Sequence, residues 1–361
     1  MSDETRILML SPPLTLRGTT IHTRNLIRSL RGRGYKFHLV AHPGTLSRAL
    51  EAEGAVIHPF PITPGLNTWL NLPRLARLVQ QVDPRIIHLR HHTLTRIAGP
   101  LLWRHPRPLV VSVSTPPAAG PLRLPRHTKA VLAVSDPLAE ELVAAHKTPR
   151  SILSTVKDCT FVDEEPPPLP DMSHPVVGCM GRLEKDRGVD KVPLIARRVV
   201  AERPQVKFAL VGEGEDDMKL RRSIRRYGLS RYVHVSPPPA DYRRLLKGFH
   251  LLLSPALKEG LGIFALEAMA MARPVVAAAV GGVFDLVKDG QTGVLTKPGD
   301  EEEIAASIIE LLDSRELLEA MGLRARELVR KRFRLQDLGA EMDLIYRHAL
   351  AEAAATGEVA E

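Results

Sequence analysis

Two carboxylates and two glycines lie close together in the segment 258–272, which reads KEGLGIFALEAMAMA. The pattern predicts a helix that begins just after Gly262, with Glu259 in the preceding loop and Glu267 about one turn into the helix, on its accessible side. Carboxylates accept hydrogen bonds from sugar hydroxyls, and glycine amides at a helix start favour a phosphate. The segment therefore suits a phosphorylated sugar, although a surface loop followed by a solvent-exposed glutamate accounts for it equally well.

A second charged loop, 181–188, reads GRLEKDRG and follows an apolar run. Its arginines, Arg182 and Arg187, flank a predicted turn in which two guanidinium groups could grip a diphosphate. Because arginines in loops are usually just solvated, this loop alone is a weak indication of a phosphate site.

Three histidines and an arginine cluster at the end of the apolar run 85–89. They are His88, Arg90, His91 and His92. The end of a strand is the edge at which α/β sheets bind ligands. The spacing matches no standard metal site, so contact with an organic ligand is favoured over metal binding. A buried or solvated cluster without a role stays open.

The chain as a whole alternates short apolar runs with helical patterns. The predicted strands are 6–10, 36–41, 56–59, 85–89, 109–114, 130–135, 176–180, 207–211, 232–236, 251–254, 274–278 and 293–295. The predicted helices are 20–31, 46–53, 73–82, 137–145, 189–202, 216–227, 240–247, 264–272, 302–313 and 335–354. Such runs are typical of parallel sheets buried on both faces and joined by right-handed crossovers. The sequence therefore predicts an α/β fold with two doubly wound domains.

A Pro-rich stretch divides the chain between these domains. We interpret residues 1–162 as a first domain, 163–175 as a linker and 176–334 as a second domain. Residues 335–361 are interpreted as a C-terminal helix with a frayed tail.

The charge of the 361-residue chain is uneven. Residues 1–150 carry 20 Lys and Arg against 8 Asp and Glu, whereas the remainder carries 30 against 33. The first part, at +12, is expected to meet an anionic partner such as a phosphate, a lipid headgroup or an acidic glycan. Nucleic acid is disfavoured, because aromatic residues make up 4% and do not interleave with the basic runs. An apolar content of 44% excludes a disordered or collagen-like protein.

The sequence also bears on the compartment. Its two cysteines, Cys159 and Cys179, form neither a disulfide framework nor a metal site. The start lacks the pattern of a signal peptide, and no apolar run approaches the roughly 18–20 residues of a membrane span. We expect a cytoplasmic protein whose membrane contact, if any, is peripheral, on the inner face, through its basic first domain. A solvated helix face explains the same arginines equally well.

The ordered motifs of the second domain resemble those of the group 1 (family 4) retaining glycosyltransferases, which have the GT-B fold. In chain order they are GRL…RG at 181–188, LVGEG at 210–214, SP…EGLG…LEAMA at 254–270, GGV at 281–283 and DGQTG at 289–293. The match covers 176–333, and its most specific element is the pair of glutamates separated by seven residues. The first domain is similar more loosely, through Gly18 before a helix, His88 at a strand end and Ser135 after a strand.

The resemblance implies two Rossmann-like domains that face a central cleft, with the C-terminal helix returning to the first domain. Residues 1–162 would then be the acceptor-side domain and residues 176–334 the domain that binds the nucleotide-sugar donor. Arg182 and Arg187, the latter where the family usually has Lys, would neutralise the leaving diphosphate. Glu259 would hold sugar hydroxyls of the donor, and Glu267 would accept from ribose hydroxyls. The other donor-binding candidates are Gly181, Gly260, Leu261, Gly262 and Ile263.

The resemblance also implies a hexosyltransferase-like enzyme without metal or cofactor, whose co-substrate is a nucleotide-diphosphate sugar. Retention is ascribed to front-face attack, in which the departing phosphate takes the acceptor's proton. The acceptor would be lipid- or glycan-linked, in cell-envelope or polysaccharide biosynthesis. An anionic acceptor fits the basic first domain best.

Further departures from the family pattern fall in the first domain. Arg17 and Gly18 replace two adjacent glycines, and Ser114 stands at the strand end that often carries a histidine. The acceptor-side candidates are Gly18, His88, Arg90, His91 and Ser114. Two alternatives stay open: another enzyme of this fold, such as an epimerase or a phosphorolytic enzyme, and a non-catalytic or weakly active nucleotide-sugar binder.

Overall fold

The computed structural model describes residues 4–62, 71–104, 106–118 and 120–357. The chain divides into two compact units, one of residues 1–158 and 335–361 and one of residues 159–334. The C-terminal helix therefore returns to the first unit, as the resemblance implies. The first unit ends at Asp158, so residues 159–162 and the Pro-rich stretch both belong to the second.

Within its described residues the first unit has a parallel sheet of seven strands in the order β3-β2-β1-β4-β5-β6-β7. The strands are β1 (Thr5–Leu10), β2 (Tyr35–Ala41), β3 (Val56–Pro59), β4 (Ile86–Leu89), β5 (Leu109–Val113), β6 (Thr128–Ala133) and β7 (Leu153–Thr155). The chain reverses direction across the sheet between β1 and β4, and such a switch point opens a crevice at the carboxyl ends of the strands. Only β7 is not among the predicted strands, because this half-exposed edge strand has three residues and no apolar run.

Helices cover this sheet. They are Gly18–Ser29, Ser47–Ala52, Leu72–Val82, Thr95–Arg104, Asp136–Ala144 and Leu335–Ala355. Thr95–Arg104 is not among the predicted helices, and Pro100 interrupts its pattern. The C-terminal helix packs tightly on Gly18–Ser29, since a Cβ at Gly339 would lie 2.3 Å from the carbonyl oxygen of Ser29.

In its described residues the second unit has a parallel sheet of six strands in the order β10-β9-β8-β11-β12-β13. The strands are β8 (Val176–Met180), β9 (Lys207–Val211), β10 (Val233–Ser236), β11 (Leu251–Ser254), β12 (Val275–Ala278) and β13 (Gly293–Thr296). The helices are Val192–Glu202, Asp217–Arg226, Tyr242–Lys247, Ile263–Ala270, Val283–Leu286, Glu301–Asp313 and Arg315–Arg332. Arg315–Arg332 is not among the predicted helices. No helix in the described parts of the chain is long and apolar enough to cross a bilayer.

The Pro-rich stretch is fastened to the second unit by two buried arginines. Arg273 donates to the carbonyl oxygen of Pro168 at 2.7 Å, and Arg326 donates to that of Glu164 at 2.7 Å. Carbonyl groups of a Pro-rich segment find few backbone amide partners, because proline has no N–H to exchange. The two guanidinium groups supply the missing donors and hold this stretch in place.

Candidate functional site

A pocket opens in the second unit at the carboxyl ends of β8 and β11. These strands are neighbours in the sheet, and the chain changes direction between them. This is the switch point at which doubly wound sheets bind ligands. The lining residues are Cys179, Met180, Gly181, Arg182, Leu183, Arg187, Val189, Leu253, Ser254, Pro255, Ala256 and Glu259.

An ion pair between Arg187 and Glu259 forms the polar wall of this pocket. The guanidinium Nη1 lies 2.9 Å from Oε1 of the carboxylate, and each side chain is 19% exposed. The amide of Gly260 donates to the same Oε1 at 3.0 Å. One carboxylate oxygen is therefore fixed by the protein, which leaves Oε2 to accept from a ligand hydroxyl.

The Arg187 guanidinium stays charged despite its burial. Burial alone disfavours the charged form, but Glu259, Asp186 and Glu184 outweigh it and raise the pKa above its ordinary value. A cation locked beside a pocket stabilises negative charge that arrives with a ligand.

The sequence led us to expect Arg182 as a cation free to bind a diphosphate, but in the structure two acids bind it. It pairs with Glu184, and its Nη2 lies 2.9 Å from Oδ2 of Asp186. Both acids stand in the loop sequence, but the motif itself does not indicate that they would bind Arg182. Two arginines therefore face three carboxylates here, so an incoming diphosphate must share Arg182 with its present partners.

The loop before the helix Ile263–Ala270 depends on two glycines. Gly262 has φ +96°, a left-handed backbone conformation that residues other than glycine rarely adopt. Gly281 lies so close to the loop that a Cβ would stand 2.0 Å from the carbonyl oxygen of Glu259. Leu261 and Ile263 bury their side chains, at 1% and 5% exposure, so only their backbone remains for a ligand.

Glu267 does not lie on an accessible helix face, and that expectation is wrong. The residue has 0% exposure. Its Oε1 accepts from Thr160 Oγ1 at 2.6 Å and its Oε2 from Arg243 Nη1 at 2.6 Å. The helix is almost wholly buried, and Arg243 supplies the charge that lets a carboxylate remain there. Contact with a ribose remains a prediction.

The acceptor-side candidates of the first unit lie in β4, just after β4 and β5, and at the start of a helix. Gly18 begins a helix, Ser114 follows β5 and His91 caps the short turn His92–Leu94. His88 and Arg90 are buried in contact with one another. Within the described ranges, no three His, Cys, Asp or Glu side chains converge as metal ligands.

His88 is a neutral, buried imidazole that connects Arg90 with Tyr346. Arg90 Nη1 donates to its Nε2 at 3.1 Å, so this nitrogen has no proton and Nδ1 donates to Tyr346 Oη at 2.7 Å. Burial, together with Arg90 and His22, lowers the pKa of His88 well below its ordinary value. The imidazole therefore positions Arg90 and does not face a ligand itself.

Two family models match the chain. The model described as group 1 glycosyl transferases matches residues 163–328, and the model described as glycosyltransferase family 4 matches residues 16–157. The chain belongs to the group 1 glycosyltransferases.

Relatives of this glycosyltransferase match only in part. The capsular polysaccharide biosynthesis glycosyltransferase CapM of Staphylococcus aureus is 28% identical over 49% of the chain and 47% of its own length. The D-inositol 3-phosphate glycosyltransferase of Segniliparus rotundus is 34% identical over 42% of the chain and 35% of its own length. The chain thus spans less than half the length of these relatives.

A solved structure matches almost end to end. The chain covers 98% of Anabaena HepE in its complex with UDP and glucose, with 94% of the present chain aligned, a TM-score of 0.75 and 22% identity. This likeness confirms the GT-B architecture of two Rossmann-like units.

A buried histidine–carboxylate pair in the first unit could not be predicted from the sequence motifs. His22, on the first helix, is hydrogen-bonded through Nδ1 to Asp158, the last residue of the first unit before the chain crosses over. Both side chains are nearly buried, at 8% and 9% exposure. The pair spans 136 positions, and the only local signal is a histidine four residues after Gly18.

Proposed function

We propose that the protein is a retaining glycosyltransferase that transfers a sugar from a nucleotide-diphosphate sugar to a lipid- or glycan-linked acceptor, without a metal, in cell-envelope polysaccharide biosynthesis. The observation that carries the proposal is the Arg187–Glu259 pair at the switch-point pocket of the second unit. It joins a permanent cation and a carboxylate with one free oxygen, as a glycosyl diphosphate requires.

The donor would be divided between these two groups. Arg187 takes the diphosphate, whose negative charge grows as the glycosidic bond breaks, and so stabilises an oxocarbenium-like transition state. Glu259 accepts from sugar hydroxyls through Oε2, and the backbone amides of residues 260–263 add donors at a helix start. The departing phosphate takes the acceptor's proton, so the pocket needs no separate base.

The relatives support the two substrates of this proposal. HepE has been solved with UDP and glucose, a nucleotide and a sugar. CapM acts in capsular polysaccharide biosynthesis, and the Segniliparus enzyme carries D-inositol 3-phosphate in its name. A phosphate-bearing acceptor agrees with the net charge of +12 on residues 1–150.

Thermal unfolding with a panel of nucleotide sugars tests donor binding. A donor at 100 times its dissociation constant stabilises the folded chain by about 2.7 kcal/mol. We expect Arg187→Gln and Glu259→Gln to lose at least tenfold in donor affinity. Arg203→Gln removes a charge from an ion pair elsewhere in the same unit and should not change the affinity. Equal affinity in all four proteins would contradict the proposal.

Product analysis separates the transferase from its alternatives. The protein is incubated with the bound donor alone, with donor and phosphate, and with donor and a bacterial lipid and glycan extract. A glycosylated acceptor with the donor's anomeric configuration is the expected product. An altered sugar from donor alone would identify an epimerase, and binding without turnover would identify a non-catalytic binder.

A further inference from the structure

Arg90 of the first unit is a buried cation without an acid. It follows β4 at the switch point between β1 and β4 and is 2% exposed. Its guanidinium donates to Thr23 Oγ1 at 2.9 Å, Ser112 Oγ at 2.8 Å and His88 Nε2 at 3.1 Å. All three partners are neutral. No carboxylate pairs with Arg90 among the residues that the structure describes, and Nη2 makes no hydrogen bond to them.

Arg90 is positively charged at neutral pH. Burial lowers its pKa to about 10, which still leaves the guanidinium protonated. Asp158 is within electrostatic range but is hydrogen-bonded to His22. A buried charge without a directly bonded acid is costly to a protein, so its retention at a ligand edge points to an anion that arrives from outside.

Two buried hydroxyls beside Arg90 have no partner. Ser11 directly follows β1, and the amide of Arg90 donates to the carbonyl oxygen of Leu10 at 2.9 Å, so Ser11 and Arg90 end adjacent strands. Thr20 lies one turn before Thr23 on the same helix. Ser11 Oγ and Thr20 Oγ1 are 0% exposed and make no hydrogen bond within the described chain. Such groups are rare in native proteins and usually await a ligand, an ion or a water.

The helix Gly18–Ser29 directs its N-terminus to the same edge. Its N-cap makes no side-chain capping bond, and its first turn holds no acid. The helix Glu301–Asp313, in contrast, is capped by Asp300 and begins with three glutamates. An anion at the start of this helix therefore meets backbone amides that have no acid beside them, together with Arg90 and the two hydroxyls.

We propose that Arg90, Ser11 and Thr20, with the first turn of the helix Gly18–Ser29, form an oxyanion site that binds a phosphate group of the acceptor. The assignment of this phosphate to the acceptor rests on the proposed function. The binding of phosphate itself does not.

Thermal unfolding of the full chain in sodium phosphate, against sodium chloride at equal ionic strength, tests the site. Phosphate should raise the Tm of the parent, and Arg90→Gln should weaken the apparent phosphate affinity at least tenfold. Arg77→Gln, which removes the same charge from an exposed position on the helix Leu72–Val82, should leave the affinity unchanged. Equal phosphate affinity in Arg90→Gln and the parent would overturn the site.

A second pair of variants keeps the test valid if Arg90→Gln does not fold. Thr20→Val removes a hydroxyl that has no partner, so folding should persist, while phosphate affinity falls about fivefold. Thr148→Val makes the same change at another unpartnered buried threonine of the first unit and should have no effect. Equal responses in these two variants would overturn the site.

Inorganic phosphate also suits the pocket of the second unit, and Arg187→Gln separates the two places. Loss of the phosphate response in Arg187→Gln, with its retention in Arg90→Gln, would overturn the site. Phosphate binding that depends on Arg90, without any response to nucleotide sugars, would keep the site and reject the transferase. A donor response without Arg90-dependent phosphate binding would reject the site alone.

The source of the phosphate is decided by two further probes. Protection by glycerol 3-phosphate that is lost in Arg90→Gln supports a soluble phosphate ester. Sedimentation with phosphatidylglycerol vesicles, but not with phosphatidylcholine vesicles, supports a lipid acceptor if Arg90→Gln abolishes it. Vesicle binding and protection that both persist in Arg90→Gln would overturn the site.

Discussion

The two units place arginines at the carboxyl edge of a parallel sheet but treat their charge in opposite ways. In the second unit, Arg182 and Arg187 are paired with carboxylates, and the acids outnumber them. In the first unit, Arg90 is held by hydroxyls and a neutral imidazole. A charge-compensated pocket is stable when empty, and its ligand must compete with the protein's own acids. A buried arginine without a bonded acid lowers the stability of the folded protein until an anion binds.

Arg273 shows that the difference is not simply one of burial. It is 1% exposed and, like Arg90, has no acid partner among the described residues. Its two terminal nitrogens donate to the carbonyl oxygens of Pro167, Pro168 and Lys247. Only its Nε lacks a partner, so both ends of the Arg273 fork are bound by the protein and its role is structural, whereas Arg90 keeps a terminal nitrogen free at a ligand edge.

The largest effect on stability is expected at Glu267. Glu267→Ala leaves Arg243 and Thr160 without their acceptor at a fully buried position, so we expect a loss of about 3–5 kcal/mol in the free energy of unfolding. Denaturant unfolding followed by circular dichroism measures it, with hydrogen exchange to locate the loss in the second unit.

Glu259→Ala is the matched control, since its ion pair with Arg187 is partly exposed and should cost much less stability. If Glu267→Ala unfolds like the parent, the buried pair contributes nothing and the contrast between the units weakens. Glu267→Gln keeps the shape and a carbonyl acceptor, so a rise in KM for donor with little loss of stability would support contact with the ribose.

The residues at the carboxyl edge of each sheet could be predicted, because the carboxyl ends of parallel strands all lie on one side of the sheet. The apolar runs of β8 and β11 locate Arg187 and Glu259 at neighbouring strand ends, and the glycines between them mark a tight loop. Amino-acid type and strand period are local properties, so one sequence suffices to read them.

The partners of these side chains were not predictable, because they depend on tertiary contacts. Thr160 lies 107 positions from Glu267, and His22 lies 136 positions from Asp158. Helical periodicity places Glu267 on a face but does not say what covers that face. Arg243, on another helix, converts an expected surface carboxylate into a buried one.

Acid should weaken the first unit before the second. Burial lowers the pKa of His38 and of His92 to about 4, with smaller effects of neighbouring His58 and His146, and burial also lowers the pKa of His58 and His88. The unfolded chain binds protons at these histidines near pH 6.5 and the folded one does not. Their stabilisation is therefore complete above about pH 6.5 and is lost as the pH falls toward 4, by at most about 1.4 kcal/mol per pH unit for each histidine.

In the second unit, the described histidine with a lowered pKa is His250. Hydrogen exchange in urea, followed separately for the peptides of residues 1–158 and of residues 159–334, compares the two units. Between pH 7.5 and 5 the protection of the first unit should fall more than that of the second. His38→Gln should flatten the pH dependence and His250→Gln should not; a fall of equal size in both units would count against the comparison.

The smallest effect is expected where the second unit forms an ion pair near its surface. Lys191 Nζ lies 2.6 Å from Glu301 Oε1, and the two side chains are 34% and 21% exposed. Water competes for both charges, so Lys191→Gln should cost only about 0.2–1 kcal/mol, and 1 M salt should remove most of that difference. Denaturant unfolding at low and high salt measures both values. A loss as large as that of Glu267→Ala would mean that ion pairing itself stabilises this unit. If the loss is small, as we expect, ion pairing alone does not explain the large effect at Glu267. That effect then comes from burial, because a buried charge without a partner is costly in either unit.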